Sequence, residues 1–285
     1  MTLQQAIQSA TERLSTDRHL NNTARRDAET LLMHFASVTR ASLLSHPARE
    51  LTAEQLAAFE AAITRRLRHE PIQYIIGHQE FYGLALAVTP AVLIPRPETE
   101  HLVEAVLERL PHDRATTIAD IGSGSGAIAI ALAVHLPLAE VTAIDLSPAA
   151  LSVAQANSRT HGVDGRIHFL LSDLLEALPS GKQTGYFDAI ASNPPYVPSV
   201  DAPQLHPQVR EHEPASALFA GLDGLEIYRR LIPQARQALK PGGLLALEIG
   251  HGQRDSLADL LKGWANLCFL DDLQGIPRVA LALQI

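Results

Sequence analysis

The residues with the most specific chemistry are Asn193-Pro194-Pro195-Tyr196, which follow the apolar run Phe187–Ala191. The run predicts a buried strand, and the prolines end it because neither can donate a hydrogen bond to a sheet. The Asn193 side-chain carbonyl and the Pro194 main-chain carbonyl could accept both hydrogens of one planar NH2 group, on which Tyr196 could stack. Because Asn-Pro also marks ordinary turns, the rest of the chain must decide between these two interpretations.

A glycine-rich loop provides that context. The apolar run Thr116–Asp120 predicts a strand, and the loop that follows it is Gly122-Ser123-Gly124-Ser125-Gly126. Asp145 ends the next predicted strand, 23 residues after Gly122, where a carboxylate typically accepts hydrogen bonds from ribose hydroxyls. The pattern predicts a nucleoside cofactor, although Gly122, Gly124 and Ala127 also satisfy a loose dinucleotide pattern.

Three features favour S-adenosylmethionine over a dinucleotide. Asp120 immediately precedes the loop, where it could meet the cofactor's ammonium group. The loop is compact, and S-adenosylmethionine has no pyrophosphate to bind. The turn at Asn193 follows the fourth predicted strand, and no nicotinamide enzyme requires it there.

These residues need an α/β scaffold to position them. Strands and helices alternate from residue 101, which predicts a doubly wound sheet, and seven strands are predicted for it. Further helices are predicted at 127–134, 222–239 and 253–264, and further strands at 141–144, 167–171, 244–248, 267–270 and 278–283. Ser147 is predicted to cap a helix that has Pro148 at its first position.

The front of the chain has a different pattern. Residues 1–75 predict a helical bundle, with capping boxes at Thr2/Gln5 and Thr52/Gln55, and we interpret it as a substrate-docking domain. Residues 76–95 predict a β-hairpin linker, with strands at 81–83 and 85–88. Residues 96–285 then form the catalytic domain. A surface loop, which could act as a lid, is predicted at 198–213.

Composition excludes several classes of protein. The 285 residues contain no apolar run of 18, and the only cysteine is Cys268, so we expect a cytoplasmic protein without a membrane span or disulfides. The 13 histidines form no metal-binding pattern, and no metal is expected. Net charge is −8, with +1 in residues 1–75 and −9 in the remainder, which disfavours tight binding to nucleic acid.

Taken together, Asp120–Gly126, Asp145 and Asn193–Tyr196 resemble class I methyltransferases that modify planar NH2 groups. Four more stretches resemble the HemK/PrmC family over nearly the whole chain; they are Glu80–Gly83, Ile94–Glu100, Glu213-Pro214 with Ala217-Leu218, and Gly243–Gly250. The resemblance implies a Rossmann-like methyltransferase domain, with the last strand of its sheet antiparallel, that methylates the N5 atom of a glutamine in the Gly-Gly-Gln motif of peptide-chain release factors. It also implies S-adenosylmethionine as the cofactor and S-adenosylhomocysteine as its product.

The resemblance assigns roles to individual residues. It implies that Gly122–Gly126 surround the methionine part of the cofactor, that Asp145 holds its ribose and that Asn193–Tyr196 hold the target amide. Leu174 stands beside the adenine at a position that is often aromatic in the family, so apolar contact replaces stacking there. Arg96, between two prolines, is expected to pair with a carboxylate, either near the site or structurally. We expect a monomer.

Other functions use similar residues. A ribosomal-protein glutamine methyltransferase would share the Asn-Pro-Pro-Tyr motif. An adenine-N6 methyltransferase would also bind a planar NH2 group, but the acidic catalytic half and short spacings between motifs disfavour it. A binding module without catalysis would not need both the glycine loop and the Asn193 turn.

Overall fold

A computed structural model describes residues 1–285 and divides the chain into two units. The first unit comprises Met1–Gly77 together with Gln204–His212, and the second comprises His78–Pro203 and Glu213–Ile285. The first unit thus ends two residues beyond the predicted boundary at residue 75. Its second piece was not predicted, because residues 198–213 have only the polar composition of a loop.

Eleven helices form the chain: α1 Leu3–Leu14, α2 Ala24–Ala36, α3 Arg40–Ser45, α4 Ala53–Arg66, α5 Ile72–Ile76, α6 Thr99–Leu107, α7 Ala127–His135, α8 Pro148–Thr160, α9 Pro207–His212, α10 Glu226–Ala238 and α11 Arg254–Leu260. Nine strands accompany them: β1 His78–Phe81, β2 Leu84–Ala87, β3 Thr116–Ile121, β4 Ala139–Asp145, β5 Ile167–Leu171, β6 Phe187–Ser192, β7 Leu239–Glu248, β8 Ala265–Asp271 and β9 Pro277–Leu283.

Capping boxes begin the two helices of the first unit for which they were predicted. The Thr2 hydroxyl accepts the Gln5 N–H, and the Gln5 side chain accepts the Thr2 N–H; Thr52 and Gln55 repeat this arrangement at α4. Apolar faces of α1, α2 and α4 form one core. The apolar pattern does not predict α3 and α5, because five or six residues are too few to show a helical period.

The segment Gln204–His212 belongs to the first unit through hydrogen bonds. The buried Arg66 guanidinium donates to Asp27 Oδ2 at 2.8 Å and to Gln208 Oε1 at 2.8 Å. His206 Nε2 lies 3.2 Å from the His19 carbonyl oxygen. Instead of an irregular loop, residues 199–204 form a 3-10 turn and residues 207–212 form α9.

The second unit contains the seven-stranded sheet, in the order β5-β4-β3-β6-β7-β9-β8. Neighbouring strands from β5 to β7 are parallel, and β9 is antiparallel to both β7 and β8. The predicted doubly wound sheet with an antiparallel last strand is therefore confirmed.

Strand register brings the polar strand ends to one edge of the sheet. Ile121 pairs with Ile144 on one side and with Ser192 on the other, and Ser192 pairs with Leu247. The residues that follow these four positions therefore meet at this edge; they are Gly122, Asp145, Asn193 and Glu248.

Two predicted helices are shorter than their apolar patterns indicated. The stretch predicted as 222–239 begins only at Glu226, because Gly221 and Gly224 both have a φ of 74° and form a turn. The stretch predicted as 253–264 ends at Leu260, ahead of Gly263 with a φ of 81°. Ser147 caps α8 at Pro148 as predicted.

The hairpin lies in a different register from the prediction. Tyr82 and Gly83 form its turn, with φ of 52° and 74°, as a two-residue type I′ turn requires. The predicted strand at 81–83 was wrong, because the β propensity of Phe81 and Tyr82 disguised the turn.

Several isolated features also follow from the structure. Trp264 is buried in the core, and the Arg236 guanidinium lies 4.9 Å from its ring centroid. No helix has the length and apolarity needed to cross a lipid bilayer. No group of three or more His, Cys, Asp or Glu side chains is arranged to hold a metal ion.

Candidate active site

A cavity lies at the edge where the strand ends meet. Six of the residues predicted from the sequence line it; they are Gly122, Gly124, Asp145, Leu174, Asn193 and Pro195. The stretch Ala91–Leu93 and residues Ser216 and Ala217 line it as well, and the sequence analysis had assigned them no role. The cavity therefore joins the proposed cofactor residues to Asn193 and Pro195 of the Asn-Pro-Pro-Tyr turn, whereas Pro194 and Tyr196 do not line it.

The glycine loop is tied to the end of β4. Gly122 and Ser123 both donate their N–H groups to the Ile144 carbonyl oxygen, at 2.8 and 3.0 Å. Gly124 donates its N–H to Asp145 Oδ2 at 2.8 Å. Gly122 and Gly124 have φ of 72° and 54°, a region that favours glycine, so the tight loop depends on them.

The other three residues of the loop, Ser123, Ser125 and Gly126, do not line the cavity. A Cβ at Gly126 would lie 3.0 Å from Ile130 Cδ1 and 3.1 Å from Ala154 Cβ, so this glycine permits the packing of α7 on α8. Ser123 and Ser125 are buried, and neither lines the cavity. Direct cofactor contact by these three residues stays a prediction.

Asp145 both holds the surrounding backbone and lines the cavity. Its Oδ1 accepts the Ser147 N–H at 2.8 Å, and its Oδ2 accepts the Gly124 N–H. Each carboxylate oxygen can accept a further hydrogen bond, and Asp145 lines the cavity. The residue thus suits a ligand with vicinal hydroxyl groups.

Asp120 is fully buried below the loop and does not line the cavity. Its Oδ2 accepts the Ala129 N–H at 3.0 Å, whereas Oδ1 has no partner. Burial raises the pKa of this carboxyl to about 7, and the nearby charge of Asp145 adds to the effect. An orphaned carboxylate oxygen and the unpartnered Ser123 hydroxyl beside the loop suit a ligand that carries a cationic amine.

Leu174 also lines the cavity. It adopts a φ of 51°, which is uncommon for a branched apolar residue. Its neighbour Asp173 accepts a hydrogen bond from Arg230 at 2.7 Å, and Leu175 donates its N–H to Gln234 at 2.9 Å. These bonds on either side hold the apolar Leu174 side chain in the cavity wall.

The Asn193 amide is oriented by a residue far away in sequence. Its Nδ2 donates to the Thr99 hydroxyl at 3.0 Å, and Thr99 in turn donates to Glu248 Oε2 at 2.6 Å. The Tyr196 hydroxyl donates to Glu248 Oε1 at 3.3 Å. One buried carboxylate therefore contacts both polar residues of the turn, directly or through Thr99.

Burial governs the protonation of this network. It raises the pKa of Glu248 to about 7, and the bonds from Thr99 and Tyr196 oppose the rise. Burial also raises the pKa of the Tyr196 hydroxyl well above its ordinary value, so the phenol stays neutral. Sequence reasoning missed Glu248; the available signal was a carboxylate directly after the apolar run of the strand beside β6.

The backbone of the turn is held by a second set of contacts. Gln253 donates to the Tyr196 carbonyl oxygen at 3.0 Å and to that of Gly224 at 3.3 Å, and it accepts the Gly250 N–H at 2.9 Å. A Cβ at Gly224 would lie 2.3 Å from the Tyr196 oxygen, so only glycine fits there. The sequence analysis did not identify these residues.

Arg96 forms the ion pair expected of it. Its Nη2 lies 2.6 Å from Oε1 of Glu213, whose side chain is fully buried, and the Ile94 N–H donates to Oε2 at 3.3 Å. Ile94 follows Ala91–Leu93 in the chain, so the pair anchors a segment of the cavity wall.

Comparisons with known proteins agree with this geometry. Residues 5–77 match the family described as PrmC N-terminal domain, and residues 99–206 match the family described as Methyltransferase small domain. A protein from Koribacter versatilis named release factor glutamine methyltransferase is 47% identical over 279 residues, covering 98% of this chain and 97% of that protein. Proteins of the same name from Moorella thermoacetica and Coxiella burnetii are 47% and 39% identical, each over 99% of this chain and at least 98% of their own length.

Solved structures share the fold. The catalytic domain of hMettl16, in complex with a 3′UTR hairpin, gives a TM-score of 0.55 at 16% identity and covers 80% of this chain and 81% of its own. A T. thermophilus 16S rRNA methyltransferase, in complex with AdoMet and guanosine, also gives 0.55, at 21% identity, covering 73% of this chain and 50% of its own. At these identities the likeness concerns the fold alone.

Proposed function

Because this chain belongs to the family of release factor glutamine methyltransferases, we propose that it methylates the N5 atom of the glutamine in the Gly-Gly-Gln motif of peptide-chain release factors. We further propose S-adenosylmethionine as the methyl donor. The observation that carries the proposal is the Asn193 amide, which lies in the wall of the same cavity as Asp145 and the glycine loop.

The cavity residues fit this cofactor. Asp145 has hydrogen-bonding capacity left for ribose hydroxyls, Leu174 offers an apolar surface for the adenine, and the orphaned Asp120 oxygen lies beneath the loop. When bound, S-adenosylmethionine supplies an electrophilic methyl group on a sulfonium. S-adenosylhomocysteine remains after transfer.

The Asn-Pro-Pro-Tyr turn would orient the substrate. An amide nitrogen is a poor nucleophile because its lone pair is delocalised into the carbonyl group. The Asn193 Oδ1 and the Pro194 carbonyl oxygen can accept both amide hydrogens and stabilise positive charge that develops on nitrogen. Pro195 stiffens the turn, and the neutral ring of Tyr196 can stack on the amide plane.

No strong base is needed before transfer. The nitrogen gains a methyl group and loses one of its two protons, and water can accept this proton. Neither Asn193 nor Tyr196 has to change its protonation state. This fits a site where the groups nearest the amide are a carboxamide, a carbonyl and a phenol whose pKa is raised.

The direct test uses purified components. After incubation with S-adenosylmethionine and a purified release factor, mass spectrometry should locate one added methyl group on the glutamine of the Gly-Gly-Gln motif. Asn193→Ala should bind the cofactor normally and transfer the methyl group about 10²–10³-fold more slowly in a single turnover, as for loss of a preorganised polar group. Methylation of ribosomal proteins, with none on the release factor, would show that the release factor is the wrong substrate.

We propose that the first unit docks the release factor. A pocket for one glutamine side chain cannot distinguish proteins, and specific recognition typically needs about 800 Å² on each partner. The helical unit carries exposed apolar and basic side chains, including Leu44, which is 75% exposed, and Arg25 on α2. Because Gln204–His212 belongs to this unit, removing residues 1–77 would also strip that segment of its partners.

Surface substitutions therefore test docking better than truncation. Leu44→Asp combined with Arg25→Glu should lower kcat/KM for the whole release factor and leave kcat/KM for a short glutamine peptide unchanged. Lys262→Glu, on an exposed side chain of the second unit, serves as the charge-reversal control. Equal loss on protein and peptide, or no loss on either, would contradict the docking role.

We propose a monomer that acts in the cytoplasm without contacting nucleic acid. Composition supports the cytoplasm and disfavours nucleic acid, because Cys268 is the only cysteine and residues 76–285 carry a net charge of −9.

A further inference from the structure

Glu248 is a buried carboxylate of the second unit that the sequence does not single out. Its side chain ends β7 beside Asn193, is almost fully buried and forms no ion pair. Burying a carboxylate without a cationic partner is costly, so its retention requires a compensating role or compensating hydrogen bonds. The two bonds it accepts come from Thr99 and Tyr196.

The distribution of protons along this network determines the orientation of the Asn193 amide. An ionised carboxylate can only accept hydrogen bonds, so the Thr99 hydroxyl donates its single proton to Glu248. The Thr99 oxygen then has only lone pairs left for Asn193. Asn193 must turn its NH2 group toward Thr99, and its carbonyl oxygen is left for the cavity.

We propose that Glu248 is a positioning residue that acts through Thr99 to hold the Asn193 carbonyl oxygen toward the substrate amide. The inference rests on the proposed function, because it assumes that this oxygen accepts a hydrogen bond from the target glutamine. A reversed Asn193 would present its NH2 group to the substrate NH2, and two donors repel.

Protonation of Glu248 would remove this control. A neutral carboxyl can donate to the Thr99 oxygen, which frees the Thr99 proton to face Asn193 Oδ1 and allows the reversed amide. The groups that face Glu248 are Glu98 before α6, Tyr196, Tyr228 on α10 and Arg278 on β9. Glu98 raises the pKa of Glu248 further, whereas Arg278, which donates to Asp272 Oδ2 at 3.0 Å, lowers it; the pKa of Glu248 is about 7, so its protonation falls in the neutral range.

Two substitutions at Thr99 test the relay. Thr99→Val keeps the shape and removes the hydroxyl, so kcat should fall about 10–100-fold, as for loss of a group that orients a catalytic residue. Thr99→Ser keeps the hydroxyl and should restore most of kcat. Cofactor affinity, measured by calorimetry, should be the same in both.

The pH profile tests Glu248 itself. In the wild type, kcat should rise with pH through about 7 as Glu248 ionises, and Glu248→Gln should abolish this rise. In the Thr99→Val background, Glu248→Gln should lower kcat no further, because the two residues act in series. Asp188→Asn is the matched control, since Asp188 accepts the Thr117 hydroxyl at 2.9 Å near the other end of the sheet; it should leave the profile unchanged.

The outcomes separate this inference from the proposed function. A wild-type protein that does not methylate the release factor glutamine would refute the function and with it the premise. A wild-type protein that does, with Thr99→Val and Glu248→Gln matching its kcat and pH profile, would overturn the positioning role alone. If Glu248→Gln does not fold, equal kcat for Thr99→Val and Thr99→Ser is sufficient to overturn it.

Discussion

The ion pair between Arg96 and Glu213 allows a quantitative prediction about the wall of the cavity. Glu213→Ala removes the acceptor of both the Arg96 guanidinium and the Ile94 N–H. Breaking a buried pair by removing one partner costs about 3–5 kcal/mol. Because 30% of the Arg96 side chain is exposed and can regain water, we expect the free energy of unfolding to fall by about 2–4 kcal/mol.

Denaturant unfolding monitored by fluorescence and circular dichroism measures this loss. The denaturant concentration at the midpoint should fall. The slope of unfolding free energy against denaturant concentration should stay constant, since the variant exposes nearly the same surface area on unfolding. The thermal midpoint should drop by about 5–15 °C, at about 2–4 °C per kcal/mol for a unit of this size. Cofactor affinity should fall as well, because Ala91–Leu93 lose the anchor at Ile94.

Asp223 provides the matched control. It forms an ion pair with Arg229 in which both side chains are about half exposed, so Asp223→Ala should leave the free energy of unfolding nearly unchanged. The double variant Arg96→Met, Glu213→Leu should recover much of the loss, since it removes both charges and keeps the volume. A loss at Glu213 as small as that at Asp223 would refute the view that this pair anchors the segment.

Three further predictions follow from single residues. Asp145→Ala should weaken S-adenosylmethionine binding by about 1.5–3 kcal/mol, and unchanged affinity by calorimetry in a folded variant would contradict the ribose assignment. Gly224→Ala should lower the free energy of chemical unfolding much more than Gly242→Ala. Both glycines have φ near 75°, but only at Gly224 would an added Cβ meet an atom within 4 Å. Equal losses of unfolding free energy would show that backbone strain alone determines the effect. Asp120→Asn should stabilise the protein at pH 8. The folded state holds the Asp120 pKa near 7, above the unfolded value, so its contribution to stability is present at low pH and is lost as pH rises through 7. The advantage of Asp120→Asn in unfolding free energy should therefore shrink toward pH 5.5, and an advantage independent of pH would contradict the assignment.

The sequence predicted the site where local chemistry defines it. The apolar run before Asn193 and the two prolines after it place that side chain at a strand end, whatever the rest of the chain does. Asp145 is placed in the same way by the strand that it ends. Parallel strands then bring these ends to one edge, so the predicted cavity residues meet without knowledge of any particular contact.

Residues that act through distant partners could not be predicted. Thr99 and Asn193 are 94 residues apart, and Thr99 and Glu248 are 149 apart, yet one chain of hydrogen bonds joins all three. Periodicity reports which face of an element is buried and not which polar groups meet there. Gly126 is a further example. The glycine-rich motif predicts that it contacts a ligand, whereas the structure shows that a Cβ at this position would meet Ile130 and Ala154.

The sequence by itself determined the fold class, the strands of the seven-stranded sheet, the edge that holds the site and the chemistry of the Asn-Pro-Pro-Tyr turn. All of these depend on local preferences and on the period of apolar residues. Only the tertiary structure decided which way the Asn193 amide faces and that Gln204–His212 belongs to the helical unit. These depend on where single donors and acceptors meet after packing, and a buried polar group accepts whichever partner the fold brings within about 3 Å.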